Sequence, residues 1–195
     1  MPARYRNFQD LSEREIEGRD FQIRFVQRSR NILVIAPHGG KIEPGTSEIA
    51  KAISSDDYSF YSFEGLKSNG NCILHIESHL FDEPHVLKAA KKADILISIH
   101  GHCDNRSKFI MIGGLNTILG KAIKNNLEHL GYIFRPCSKG LSGKDPNNIC
   151  NRGRQNAGVQ LEISRKLRES IMKSEDRLYY FTQAIREAIQ SSIED

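Results

Sequence analysis

Two histidine–glycine clusters, a carboxylate inside an apolar segment and an arginine-rich loop hold the side chains through which this chain could do chemistry. The first cluster is Ala36-Pro37-His38-Gly39-Gly40-Lys41-Ile42-Glu43-Pro44-Gly45-Thr46. His38 stands where an apolar run gives way to a loop, and Glu43 follows within that loop. Glycines admit tight backbone conformations, so an imidazole and a carboxylate on such a loop can turn inward together. A catalytic zinc ion takes three ligands of these types and leaves one position for water. The competing reading is a glycine-rich turn with an incidental histidine. The second cluster is Ser98-Ile99-His100-Gly101-His102. Either histidine could supply a third ligand if the two strands are neighbours, and His100 is preferred because it lies directly at the strand end. A satisfied core or surface histidine is the alternative.

Gln160-Leu161-Glu162-Ile163 places a carboxylate midway along a half-apolar strand. Glu162 is then either a solvent-facing member of the alternation, with Gln160, or a general base whose pKa is raised by partial burial. The last group is Asn151-Arg152-Gly153-Arg154, followed by Arg165 and Arg168. Guanidinium groups bind carboxylates bidentately and stabilise developing oxyanions, which suits an acidic substrate. A solvated basic loop or a nucleic-acid phosphate contact is the alternative. His75 and His79 could line a cleft, although surface or core roles are expected for them, as for His85 and His129.

The elements that must position these groups follow from periodicity. Phe21, Ile23 and Phe25 alternate with polar residues and predict a half-exposed strand. Asn31 to Ala36 is a continuous apolar run, the pattern of a central strand buried on both faces, and it stops at Pro37. A helix is predicted from Thr46 or Ser47, a weaker strand at Leu74-His75-Ile76, and a helix over Glu83 to Ala93. A second buried strand spans Asp94 to Ile99 and ends at His100. Lys108 to Ile112 predicts a strand, Thr117 to Leu130 a helix stopped by Gly131, and Tyr132 to Phe134 a return to the sheet. Gly140 to Asn156 is the longest loop. Val159 to Ile163 reads as a strand, and the chain ends in helices, Leu178 to Ile193 being the clearest. Strands alternating with helices predict an α/β fold: a mixed, mostly parallel central sheet flanked by helices. In such sheets ligands gather beyond the carboxyl ends of the strands, and two of the best strands end in histidine–glycine motifs.

Composition narrows the classes without choosing among them. Lys and Arg number 28 against 24 Asp and Glu, a net charge of +4, which suits an anionic partner but forms no polybasic stripe. There is no tryptophan, no aromatic interleaving of a basic face and no helix-turn-helix or zinc-finger spacing, so nucleic-acid binding is disfavoured. The four cysteines form no C-x-x-C pair and predict free thiols. Without internal repeats or linkers, residues 1–195 are expected to form a single domain. No signal peptide or apolar span is seen, so a soluble, cytoplasmic protein without a membrane partner is expected, released by lysis if it acts outside the cell. Oligomeric state is not encoded in any pattern found.

Taken in order, APHGGKIEPGTSEIA (36–50), YSFEGLK (61–67), LHIESHLFDEP (74–84), ISIHGH (97–102), IGGLN (112–116), NICNRGR (148–154) and GVQLEIS (158–164) resemble the phage-type poly-γ-glutamate hydrolase family. Some of its members have been labelled phage-related replication proteins. The resemblance implies a zinc-dependent hydrolase with a zinc carboxypeptidase-like fold, acting on the γ-linked polyglutamate of bacterial capsules. It implies His38, Glu43 and His100 as the Zn²⁺ ligands and Glu162 as the catalytic glutamate. Zinc carboxypeptidases proper space the first His and Glu more closely and place their Asn-Arg pair before the second His. On this reading Arg152 or Arg154 holds the oxyanion or a carboxylate, with Asn151 and Arg165 as further substrate contacts. The alternatives are a zinc amidohydrolase acting on another acidic or peptidoglycan amide, and a non-enzymatic nucleic-acid-binding protein.

Overall fold

A computed structural model describes residues 4–138 and 140–194. Six strands, β1 (Phe21–Val26), β2 (Ile32–Gly40), β3 (Ser59–Gly65), β4 (Ile95–His102), β5 (Ile110–Gly114) and β6 (Val159–Ser164), form one sheet in the order β1-β3-β2-β4-β6-β5. The helices are α1 (Phe8–Ser12), α2 (Thr46–Ser54), α3 (Pro84–Ala90), α4 (Thr117–His129), α5 (Arg165–Ile171) and α6 (Glu175–Glu194). The four inner strands run parallel, and the edge strands β1 and β5 pair antiparallel. The sheet is therefore mixed with a parallel centre, as the alternation of elements predicts.

Side-chain alternation distributes the inner strands between two apolar layers. Val34, Ile97, Ile99, Leu161 and Ile163 face Ile49, Ile53, Leu119, Phe181 and Ile185 of α2, α4 and α6. Leu33, Ile35, Tyr61, Phe63 and Leu96 face Tyr5, Leu11, Phe81 and Val86 on the other side. Cover on both faces is why β2 reads as an unbroken apolar run. The edge strand β1 does not alternate in burial: it is buried at Phe21 and exposed at Phe25 and Val26, so Phe25 leaves the apolar face it shares with Phe21 and Ile23 in the sequence pattern.

Strand order reverses between β2 and β4: β2 continues to β3 on one side, and the chain then crosses to β4 on the other. The carboxyl ends of these two strands thus open a crevice at a topological switch point. A one-residue slip deepens its consequence. The β2–β3 register shifts between Ala36 and Gly39, so β2 does not stop at Pro37 but bulges there and continues to Gly40. Proline has no N–H to donate, and β2 has already left β4 after Ile35, so Pro37 interrupts no ladder there. The bulge also reverses the alternation. Gly39 faces Ser47 and Ser62 on the α2 side, where a Cβ would collide with both hydroxyls, and His38 is turned to the opposite layer.

Two elements differ from the sequence reading. Leu74 to Ile76 is not a strand: a 3-10 turn (Asn71–Leu74) follows Gly70, and the segment lies on the sheet face with Leu74 and Ile76 buried. Both flanks of β2 are already taken by β3 and β4, so no ladder remains for it. Conversely, β3 is a fully buried strand that periodicity did not reveal, because Ser59, Ser62 and Glu64 interrupt its apolar pattern. Among the described residues, no helix is long and apolar enough to cross a membrane.

Candidate functional site

The crevice at the ends of β2, β4 and β6 is a cleft of about 710 Å³ whose lining includes His38, Glu43, His75, His100, Gln160 and Glu162. His100 and Glu162 are register partners on adjacent parallel strands, and Ser98 and Gln160 are the next pair on the same face. Strand pairing therefore sets the imidazole beside the carboxylate with no help from loops. His38 joins them from β2 through the bulge. Glu43 arrives on the loop before α2, its Oε2 accepting the Gly101 N–H at 2.7 Å.

Both buried imidazoles are oriented by their remote nitrogens. His38 Nε2 lies 2.7 Å from the Ile76 carbonyl oxygen, which can only accept, so Nε2 carries the proton and Nδ1 the lone pair. His100 Nε2 lies 2.8 Å from the Ser98 hydroxyl. The two Nδ1 atoms are 3.2 Å apart, a distance at which two lone pairs repel unless a proton or cation lies between them. Glu43 Oε1 is 3.5 Å from His38 Nδ1, and Oε2 is 3.9 Å from His100 Nδ1. This is a donor set of two imidazoles and one carboxylate with anchored outer nitrogens, the kind that holds a divalent transition metal.

His75 stands with this group. Its ring stacks on His38 at 3.8 Å, its Nε2 is 3.9 Å from Glu43 Oε1, and the donor atoms of His38, Glu43 and His75 all lie within 4.8 Å of one another. His102 also lines the cleft, but its Nδ1 accepts the Asp104 N–H at 3.1 Å. The geometry therefore brings His100 rather than His102 to His38 and Glu43.

Electrostatically, burial outweighs the positive charge that Arg168 brings to the site. Burial, with Glu43 nearby, pushes the Glu162 carboxyl up to about 8, despite a hydrogen bond from Gln160 and the charge of Arg168. His75 is depressed to about 3, first by its neighbour His38 and then by burial, and burial holds His100 well below the usual imidazole range. Arg168 is buried behind the site, where a Cβ at Gly101 would meet its guanidinium at 2.5 Å. It donates to the carbonyls of Pro44 (2.7 Å), His102 (3.2 Å) and Ile163, tying the Glu43 loop to the ends of β4 and β6.

The structure does not bring the other arginines and Asn151 into this cluster. Arg154 pairs with Asp94 at 3.4 Å, at the amino end of β4 and so at the far end of the sheet. Arg152 reaches toward the Phe81 carbonyl at 3.4 Å, and Arg165 pairs with Glu169 along α5. None of the three lines the cleft. Asn151 is buried and engaged: its amide donates to the carbonyls of Gly143 (2.7 Å) and Asp145 (2.8 Å), and its oxygen accepts from Leu115 and Gly158. It clasps the 140–145 wall of the cleft. The cation on that wall is Lys144, which the sequence reading passed over. Gln160 was also missed, because strand alternation suggested solvent where both faces of β6 are covered.

A sequence profile described as poly-gamma-glutamate hydrolase matches residues 5–188. The chain is 34% identical to UPF0714 protein YndL of Bacillus subtilis (strain 168) over 96% of its own length and 78% of that protein's. It is 37% identical to UPF0714 protein YmaC of the same organism, over 92% of this chain and 75% of YmaC. The structure of a bacteriophage poly-gamma-glutamate hydrolase superposes with a TM-score of 0.93 at 31% identity, over 98% of this chain and 99% of that one. A zinc-free form of YndL superposes at 0.90, over 97% and 98%.

Proposed function

This chain belongs to the poly-gamma-glutamate hydrolase family, and we propose that it cleaves γ-glutamyl amide bonds in poly-γ-glutamate as a zinc-dependent, metallopeptidase-like enzyme. The observation that carries this reading is the convergence of the His38 and His100 Nδ1 atoms, the Glu43 carboxylate and buried Glu162 on one cleft. His38, Glu43 and His100 would hold Zn²⁺, with His75 covering the same face. Zinc bound there supplies Lewis acidity, polarising an amide carbonyl and acidifying water. Glu162 accepts a proton from the attacking water and returns it to the leaving amine nitrogen. Burial lifts this carboxyl to about 8 in the metal-free protein, and a cation held by His38, Glu43 and His100 would draw it back toward the ionised form that a base requires.

Lys144, on the cleft wall, would meet the free α-carboxylates that a γ-linked chain carries along its length. The net charge of +4 steers a polyanion, so kcat/KM falls as salt is raised. The test is a comparison of γ-linked with α-linked oligoglutamate. The reading requires cleavage of the γ-linked chain, loss of cleavage under chelation, and one metal per chain that His100→Ala removes. Equal cleavage of both linkages would move the substrate to another acidic amide. A metal-free, inactive protein with salt-sensitive DNA affinity would restore the nucleic-acid alternative.

A further inference from the structure

Beside Glu162 lies a chain of buried amides that the reaction described above does not use. Asn148, at the start of a 3-10 turn (Ile149–Asn151), accepts the Cys150 N–H on Oδ1 at 3.0 Å. With its oxygen committed to a backbone donor, Asn148 must present Nδ2 on its other side. It donates to Gln160 Oε1 at 2.9 Å. Gln160 is in turn left with its Nε2 facing Glu162, and donates to Glu162 Oε1 at 3.0 Å and to the Leu141 carbonyl at 3.3 Å. Amide oxygen and nitrogen are easily interchanged in a structure, but here the order is dictated from one end, because a backbone N–H cannot accept. Asn148 and Gln160 are both buried, 6% and 3% exposed, so water does not offer an easy substitute partner. Gly143 lies directly against this chain, where a Cβ would stand 3.0 Å from Gln160 Oε1.

We infer that Asn148 and Gln160 are positioning residues, a one-way amide relay that delivers a donor to Glu162 Oε1 and leaves Oε2 as the oxygen that takes the proton. The inference rests on Glu162 being the base. It explains a glutamine at a buried strand position where leucine would pack more cheaply. It also links the base to the 140–148 wall, since Leu141 and Asn148 hold the same Gln160 amide.

The relay predicts an asymmetry that ordinary packing does not. Asn148→Asp keeps an oxygen for the Cys150 N–H but offers a second acceptor where Gln160 needs a donor. Gln160 then turns its amide over and presents Oε1 to Glu162. The expected result is a ten- to hundredfold fall in kcat with KM and bound metal within twofold of wild type. Gln160→Met, which removes the donor and keeps the volume, should do the same. Side-chain amide NMR reads the relay without any substrate. In wild type the Gln160 NH₂ protons should exchange at least tenfold more slowly than those of exposed Gln190, and Glu162→Ala should shift them while leaving the Asn151 amide in place. Fast exchange of the Gln160 amide in wild type overturns the inference, as does an unchanged kcat in Asn148→Asp or Gln160→Met. An equal loss of melting temperature and KM with kcat preserved would show a structural role only. If wild type cleaves no γ-linked polymer, the catalytic reading fails, while the exchange measurement still decides whether the relay exists.

Discussion

Two buried polar clusters in this molecule have opposite electrostatics. Near the amino terminus, the Tyr5 hydroxyl donates to Glu15 at 2.5 Å, Lys67 reaches Glu15 at 2.5 Å and Asp20 at 3.5 Å, and Arg19 pairs with Asp20 at 2.7 Å. Each charge there has an opposite neighbour, and Asp20 is held down at about 2, chiefly by its bond to Arg19. In the cleft, two carboxylates and three histidines meet with Arg168 behind them and Lys144 on the wall, Glu162 is pushed up to about 8, and the Nδ1 atoms of two imidazoles lie 3.2 Å apart. A cluster that serves the fold satisfies itself. A cluster left short of positive charge is organised for something that arrives from outside, and strongly perturbed groups in a cleft are the usual mark of that arrangement.

The sharpest way to break this contrast is to remove its parts separately. Glu162→Gln should lower turnover by about 10²–10⁴-fold, the usual contribution of a general base, while bound metal stays at one per chain. His38→Ala should lose both turnover and metal, as read by metal analysis on the same preparations. Full activity in Glu162→Gln would mean that the base is elsewhere.

A second effect concerns the metal-free protein, and its sign follows from proton linkage. Glu162 has a folded value near 8 against an ordinary 4.5, so between those pH values the folded state keeps a proton that the unfolded chain has released. Stability from this group is fullest below about 4.5 and falls as pH rises toward 8. In metal-free protein, Glu162→Gln should therefore melt higher than wild type at pH 9, by on the order of a few kcal/mol, and close to it at pH 4. Equal melting differences at both pH values would remove the charge argument.

The compensated cluster should respond in the opposite way. Lys67→Met leaves Glu15 buried without its ammonium and should cost about 1–3 kcal/mol in urea unfolding, with kcat and metal content unchanged. The smallest effect belongs to Arg154→Ala at the far end of the sheet. Its pair with Asp94 is exposed and should contribute at most about 1 kcal/mol, and turnover should not move.

How much of this was legible in the sequence depends on how local each cause is. The apolar run of β2 and the histidine ends of two strands announced both the parallel centre of the sheet and His38, Glu43 and His100 as candidates. The bulge at Pro37 was not legible, although it decides the face of His38: strict alternation from Ala36 would have aimed that ring at α2. Gln160 looked solvent-facing, and Glu162 stayed divided between solvent and a buried base, because alternation gives a period but does not tell which layer covers each face. His75 comes from a segment with no strand partner, so no periodicity could bring it to the cleft. The placement of the arginines was hidden for a related reason: Asn151 to Arg154 are adjacent in sequence, but Asn151 turns inward to clasp the cleft wall while Arg154 is carried to the opposite end of β4.

The measurement closest to the centre of this account is the size distribution of poly-γ-glutamate incubated with the purified protein as prepared, after chelation, and after zinc is restored. The account predicts shortening, its loss on chelation, and its return with zinc at one ion per chain. An unshortened polymer in the presence of protein with one zinc bound would contradict it.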